Sequence, residues 1–137
     1  MTTICDTGPL VAFLNRNDPH HNWAVALLKQ VARPMLTCDP VLTEAAYFLR
    51  EDGVAVDPLF QLLEREALRL EFDMSAHWPR LRTLMARYKQ MDLADAAVVA
   101  MTELHTRCQV LTVDRKDFSV YRRNDRQAID FVAPSKR

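Results

Sequence analysis

Glycine is scarce in this sequence, which has only Gly8 and Gly53 among its 137 residues. It also has no internal repeat and no low-complexity segment. Together with a hydrophobic content of 49%, these absences favour a compact, helix-rich domain that is large enough to bury its own core. We expect one domain over residues 1–133 and a loose C-terminal tail over residues 134–137.

Cysteine is also rare, and the three residues Cys5, Cys38 and Cys108 are widely separated. This number and spacing exclude a disulfide framework and a zinc-binding cysteine cluster. Each cysteine lies in or beside an apolar run. We therefore expect buried free thiols in a protein of a reducing compartment.

The sequence has no excess of charge and no long apolar run. Eighteen basic and eighteen acidic side chains cancel, so no global field attracts the protein to nucleic acid or to a membrane. A nuclease is still possible, because an acidic metal site can offset a basic rim. No segment approaches the roughly 18 apolar residues of a membrane span, and the first residues carry no charged leader. We expect a cytoplasmic protein without a membrane partner.

The apolar pattern predicts an α/β fold in which strands alternate with helices. Helices are expected from Pro9, Trp23, Pro40 and Pro58, and over residues 75–88 and 92–105. The strands are expected at residues 2–6, 34–37, 68–72, 109–113 and 129–132. Such an order favours a short parallel sheet with helices on both faces, a three-layer α/β/α arrangement. Ligands of such sheets bind outside the carboxyl ends of the strands.

Four acidic residues lie where this fold would bring them together. Asp6 and Asp114 each follow a predicted strand, and Asp95 opens an apolar helical run. Glu44 shares a predicted helix face with Val41, Ala45 and Phe48. A carboxylate on a face directed to the core is rarely left unpaired, so we expect Glu44 to meet a basic partner or a metal ion.

Each of the other acids also has a structural explanation. Asp6 can begin a turn, Asp92 can cap a helix in whose first turn Asp95 then lies, and Asp114 and Asp117 can cap a turn. For Asp92, Asp114 and Asp117, taken one by one, the structural explanation is the better one.

Taken together, the acids favour a metal site. Oxygen ligands without a His/Cys cluster select Mg²⁺ or Mn²⁺, and several carboxylates around such ions suit phosphodiester hydrolysis. No Ser/His/Asp or Cys/His arrangement competes, and the histidines are interpreted as surface residues: His20, His21, His77 and His105. The triplet Asp6-Thr7-Gly8 also occurs in aspartic proteases, but their fold is nearly all β, so we set this alternative aside.

The four acids lie in four segments of characteristic sequence. They are Ile-Cys-Asp-Thr-Gly-Pro-Leu-Val-Ala-Phe-Leu (4–14), Leu-Thr-Glu-Ala (42–45), Asp-Leu-Ala-Asp-Ala-Ala-Val-Val-Ala (92–100) and Leu-Thr-Val-Asp-Arg-Lys-Asp-Phe (111–118). In this order, the segments resemble the PIN domain, and more narrowly the VapC-type toxin ribonucleases of toxin–antitoxin pairs. The resemblance implies a metal-dependent endoribonuclease that cleaves RNA such as tRNA, with a PIN-like fold.

The resemblance also implies a site. Asp6, Glu44 and Asp95 would be the core ligands of Mg²⁺ or Mn²⁺, and Asp114 would be the fourth acid. Asp92 would be an additional acid that either binds metal or only caps its helix. The sequence departs from the family at Gly8, where many relatives carry a serine.

Partners follow from the same resemblance: an RNA substrate, an antitoxin protein and a second copy in a homodimer. Phe13 and Trp23 could line an antitoxin groove, although core packing explains them more economically. Four basic residues after the last acid either contact phosphates or form an ordinary solvated loop, with equal weight: Arg115, Lys116, Arg122 and Arg123. The alternative functions are a non-catalytic PIN-like module that binds RNA or protein, and a DNA-directed nuclease.

Overall fold

The computed structural model describes residues 1–135, which form a parallel sheet between layers of helices. The elements are, in chain order, β1 (Thr2–Cys5), α1 (Thr7–Leu14), α2 (His21–Leu28), β2 (Met35–Thr37), α3 (Asp39–Glu51), α4 (Asp57–Glu64), β3 (Leu68–Leu70), α5 (Met74–Arg87), α6 (Leu93–Leu104), β4 (Cys108–Leu111), α7 (Arg115–Val120), β5 (Arg122–Arg123), β6 (Gln127–Ala128) and β7 (Phe131–Val132). The predicted three-layer α/β/α fold is confirmed.

The central sheet has the strand order β3-β2-β1-β4-β7, and all of its pairs are parallel. In the middle of the sheet, Ile4 pairs with both Leu36 and Val110. Cys5 pairs with Leu111, so β1 and β4 end at the same level. The residues that follow these two strands are therefore neighbours at one edge of the sheet.

Helix α6 is the most deeply buried of the helices in the described part of the chain. Its residues from Ala96 to Thr102 are all buried, and the alanines among them let the helix lie close to β1 and β4. Helix α5 packs on α6 from the other side. Because α6 is held on both sides, its first turn has a fixed position relative to the ends of β1 and β4.

All three cysteines are buried and free, as expected. Burial raises the pKa of the Cys5 thiol well above its ordinary value, and burial raises the pKa of Cys38 to about 12. These thiols are therefore protonated packing groups. Among the described residues, no helix is long and apolar enough to cross a membrane.

The segment after Asp114 differs most from the sequence-based expectation. It forms α7 and a small antiparallel hairpin, β5–β6, where a loop was expected. The hairpin turns at Asn124 and Asp125, which have φ values of 51° and 63°. Asparagine and aspartate adopt such angles more readily than other non-glycine residues, which suits a tight hairpin turn.

Several element boundaries also shift from their expected places. Helix α1 begins at Thr7 instead of Pro9, β3 ends at Leu70, and the last strand covers only Phe131–Val132. At the expected loose tail, the carbonyl oxygen of Pro134 accepts a hydrogen bond from Arg115 (3.2 Å). Residues 136–137 of that tail lie outside the described part of the chain.

Candidate active site

An acidic cleft opens where β1 and β4 end. It has a volume of about 380 Å³ and is lined by Asp6, Thr7, Gly8, Val11, Asp18, His20, Glu44, Phe48, Asp52, Asp95, Val113 and Asp114. The structure thus brings four sequence-predicted acids to one place: Asp6, Glu44, Asp95 and Asp114. Two further acids in the lining, Asp18 and Asp52, were not expected from the sequence.

Asp6 lies at the centre of the cleft floor. It is the N-cap of α1 and is only 7% exposed. Its Oδ2 accepts a hydrogen bond from the hydroxyl of the fully buried Thr112 (2.8 Å), and the same Thr112 oxygen accepts one from the backbone N–H of Asp114 (3.0 Å). Thr112 therefore links the two acids that follow β1 and β4.

Glu44 reaches the cleft from α3, which packs against α1. The glutamate is half-buried, and its Oε1 accepts a hydrogen bond from the Thr7 hydroxyl (2.7 Å). The hydrogen-bond partner of Glu44 is thus a hydroxyl group, and not the basic residue that the sequence suggested as one alternative. Of the residues predicted to share its face, Val41 and Ala45 are buried in the core, whereas Phe48 is exposed.

Asp95 is held by a tyrosine that sequence reasoning missed. Its Oδ2 accepts a hydrogen bond from the hydroxyl of Tyr121 (2.8 Å). The Tyr121 ring is fully buried and packs edge-on against Tyr88 and Phe118, with centroid distances of 5.1 and 5.2 Å. This packing fixes the hydroxyl that orients Asp95.

Asp92 and Asp114 both act as helix caps. Asp92 Oδ1 accepts from the backbone N–H of Asp95 (2.8 Å), and Asp114 Oδ1 accepts from that of Asp117 (3.0 Å). The capping interpretation is therefore confirmed for both, and each cap engages one of its two carboxylate oxygens. Asp92 lines a neighbouring depression that it shares with Glu44.

The cleft disfavours the ionised forms of its own acids. Burial, reinforced by the negative charges of Glu44 and Asp92, raises the pKa of Asp6 from 3.8 to about 6, although hydrogen bonds from Thr112 and Thr7 oppose the rise. Burial and the charges of neighbouring acids raise the pKa of Asp95 from 3.8 to about 7, against the hydrogen bond from Tyr121. Burial also raises the pKa of Glu44. A cation in the cleft would relieve this cost.

The donor set fits a hard divalent cation. The acids offer carboxylate oxygens, and His20 is the one residue of the lining that can carry a positive charge. Oxygen ligands of this kind suit Mg²⁺ and Mn²⁺. Within residues 1–135, no group of three or more His, Cys, Asp or Glu side chains is arranged to hold a metal ion as it stands. Binding would therefore require the carboxylates to move closer together.

The predicted phosphate-binding residues lie elsewhere. Arg115 and Lys116 are exposed and do not line the cleft, and the Arg115 guanidinium donates to the carbonyl oxygens of Ala133 and Pro134. The guanidinium of Arg122 donates to carbonyl oxygens at the end of α7. That of Arg123 donates to carbonyl oxygens at the end of α6. These arginines are engaged within the chain.

All four histidines, which were expected at the surface, are half-buried. His20 is half-buried in the cleft wall, and a ring nitrogen of His21 lies 2.7 Å from the carbonyl oxygen of Ala12.

The side chain of Val113 explains why position 8 is a glycine. A Cβ atom on Gly8 would lie 3.1 Å or less from each of three side-chain carbons of Val113, closer than van der Waals contact allows. Because the valine side chain occupies this space, the serine that many relatives carry here does not fit without a shift.

Comparisons with known proteins agree with this fold. The sequence model of the family described as PIN domain matches residues 3–124. Among solved structures, the chain is similar to VapC20 of Mycobacterium tuberculosis, described as a sarcin-ricin loop cleaving toxin. The TM-score is 0.67 at 18% identity, covering 80% of this chain and 87% of that one. At this identity the likeness shows a shared fold. A comparison with curated proteins gives no significant match.

Proposed function

Because the chain belongs to the PIN domain family, we propose that it is a metal-dependent endoribonuclease and the toxin of a toxin–antitoxin pair. The observation that carries this proposal is the acidic cleft at the carboxyl ends of β1 and β4. Its buried carboxylates have raised pKa values and are held by hydroxyl groups, which leave their charge uncompensated. Such a site is suited to a divalent cation and a phosphodiester substrate.

In this proposal Asp6, Glu44, Asp95 and Asp114 hold Mg²⁺ or Mn²⁺. Asp92, which caps its helix with one carboxylate oxygen and does not line the main cleft, is a further ligand of lower weight. The ion supplies activation of water and neutralisation of charge at the scissile phosphate. Thr112, Thr7 and Tyr121 are the positioning residues that keep three of the acids in orientation. Each of these hydroxyl groups binds one oxygen of its carboxylate.

Arg115 and Lys116 remain proposed substrate contacts, and the structure favours Lys116 over Arg115. The guanidinium of Arg115 already holds two backbone carbonyls and lies over the Phe131 ring, 5.7 Å from its centroid. Lys116 is exposed beside the acid Asp114. Lys116 is therefore the better candidate for a phosphate contact in this segment.

A second surface supports the proposed antitoxin. An apolar recess of about 230 Å³ is lined by Phe13, Leu28, Lys29, Val31, Arg33, Met35, Leu62 and Ala67. The two basic residues in the lining would suit an apolar helix that also carries acidic residues. Phe13, expected from the sequence to line an antitoxin groove, lies in this recess, whereas Trp23 does not.

The test is cleavage of RNA by the purified chain in Mg²⁺, in Mn²⁺ and in EDTA. The substrates are a total tRNA pool and a sarcin-ricin loop oligonucleotide, with DNA of the same sequence in parallel. Asp6→Asn is the site variant, and Asp130→Asn, which changes an exposed acid outside the cleft, is its matched control. We expect discrete RNA fragments that require metal, persist in the control and vanish in Asp6→Asn.

Other outcomes would favour the alternatives. RNA that is bound but intact in every lane would favour a non-catalytic PIN-like module. Cleavage of DNA in preference to RNA would favour a DNA-directed nuclease. Full metal-dependent cleavage by Asp6→Asn would contradict the assignment of Asp6 as a metal ligand.

A further inference from the structure

We propose that Phe48 is a stacking platform for one unpaired RNA base at the wall of the acidic cleft. This inference rests on the proposed function, because it assigns to the same cleft a contact that selects the substrate. In this proposal Phe48 contacts a nucleobase of the RNA, whereas the acids act at its phosphate.

The position of Phe48 on α3 carries the inference. Glu44, Phe48 and Asp52 follow each other at intervals of four residues, and all three line the cleft. Residues spaced by four lie above one another on one face of a helix. The aromatic ring therefore stands directly beside Glu44, so a base stacked on it would lie next to the phosphate held at the acids.

The core does not need this ring. Helix α3 packs inward through Val41, Ala45 and Leu49, which are all fully buried, whereas Phe48 is 45% exposed. Its neighbour Tyr47 is 59% exposed and packs edge-on against it, with a centroid distance of 5.5 Å and an interplanar angle of 69°. Such an edge-to-face contact stabilises the orientation of the Phe48 ring.

The charge of the cleft explains why stacking is the contact to expect. Six of the lining residues are acidic and only His20 can be positive, while the chain as a whole has no net charge. Attraction of the phosphate backbone, which dominates most nucleic-acid binding, is therefore weak here. Stacking of a base on an aromatic ring needs no positive charge and accepts any base. A ring of this kind selects an unpaired nucleotide, such as one in a loop, over a paired one.

The experiment compares Phe48→Ala and Phe48→Trp with Phe60→Ala. Phe60 is the matched control, because it is 54% exposed on α4 and does not line the cleft. For each protein we would measure kcat and KM on a hairpin RNA. Binding of the same RNA in EDTA would be followed by fluorescence anisotropy, with 2-aminopurine placed in the loop.

We expect Phe48→Ala to raise KM and to weaken binding by about 5- to 150-fold, the range for loss of one stacked base. The change in kcat should be small and the melting temperature unchanged. Phe48→Trp should bind as tightly as the wild type and quench the 2-aminopurine fluorescence. Phe60→Ala should behave as the wild type.

The inference is overturned if Phe48→Ala binds and cleaves as the wild type does. It is also overturned if light scattering shows that Phe48→Ala only dissociates a dimer, since the ring would then contact a second copy. Failure of the proposed function gives a different result. A wild type that binds RNA through Phe48 but never cuts it would contradict the nuclease and support the stacking contact, whereas a wild type that binds no RNA would contradict both.

Discussion

Replacing Asp6 with asparagine should abolish catalysis and make the metal-free protein more stable at neutral pH. The reason is the raised pKa of this buried carboxyl group, which moves from 3.8 to about 6. Since one unit of pKa is worth about 1.4 kcal/mol, ionised Asp6 costs the native state about 3 kcal/mol. The side chain is 7% exposed, so solvent screens this cost little.

The sign of the effect depends on pH. Well below pH 3.8, Asp6 is protonated in both the native and the unfolded state, and its pKa shift costs nothing. As the pH rises, the unfolded state loses its proton first, so stability falls until the native group ionises near pH 6. Asparagine is neutral throughout and avoids this loss. Its amide group adds donors with no assigned acceptor, a cost of about 1 kcal/mol, so we expect a net gain of about 2 kcal/mol at pH 7.5.

The assay is urea unfolding of the wild type, Asp6→Asn and Asp130→Asn in EDTA at pH 4.0 and pH 7.5. The variant should be more stable than the wild type at pH 7.5 and equal or slightly less stable at pH 4.0, while Asp130→Asn should follow the wild type. Adding Mg²⁺ at pH 7.5 should stabilise the wild type and narrow the difference. A variant that is less stable than the wild type at both pH values would refute the reasoning, because the carboxylate would then already be compensated.

Three other substitutions test further contacts. Tyr121→Phe removes the hydroxyl that orients Asp95 and should weaken Mn²⁺ binding by about 10- to 100-fold, as measured by calorimetry. An unchanged affinity for Mn²⁺ would show that Tyr121 does not position a metal ligand. Gly8→Ser should destabilise the protein by about 1–3 kcal/mol through its clash with Val113, and adding Val113→Ala should restore much of that loss in urea unfolding. Arg123→Ala should lower the melting temperature, because it removes the bonds to the end of α6, and leave KM for RNA unchanged; a raised KM would instead indicate a phosphate contact.

The parallel sheet was predictable because the apolar runs of its strands and the periodicity of its helices are both visible in the sequence. The positions of Asp6 and Asp114 followed from it, since Asp6 comes directly after β1 and Asp114 follows the paired strand β4 after two intervening residues. Glu44 was predicted from helical spacing, but the spacing could not show that α3 faces the core through Val41 and the cleft through Phe48. The helix can serve both, because the residues that face the core and those that line the cleft form two neighbouring rows along α3.

The region after Asp114 was not predicted, for two different reasons. Helix α7 has only six residues, which is too short for a periodic pattern to be recognised. The hairpin, in contrast, carried a usable signal in Asn124-Asp125, a residue pair that suits a tight turn between strands. With the hairpin and α7 recognised, Tyr121 would have been placed between two ordered elements instead of in a loop.

The hydroxyl partners of the acids explain both what the sequence could not show and why the cleft suits a cation. Thr112 is 106 residues from Asp6, Thr7 is 37 from Glu44, and Tyr121 is 26 from Asp95, so no local pattern relates these pairs. A lysine or arginine in the same places would have lowered the pKa of each acid and compensated the negative charge of its carboxylate. A hydroxyl group fixes the direction of a carboxylate and leaves its charge uncompensated. The chain thus orients three acids at a cost in stability, and a divalent cation bound to them would recover that cost.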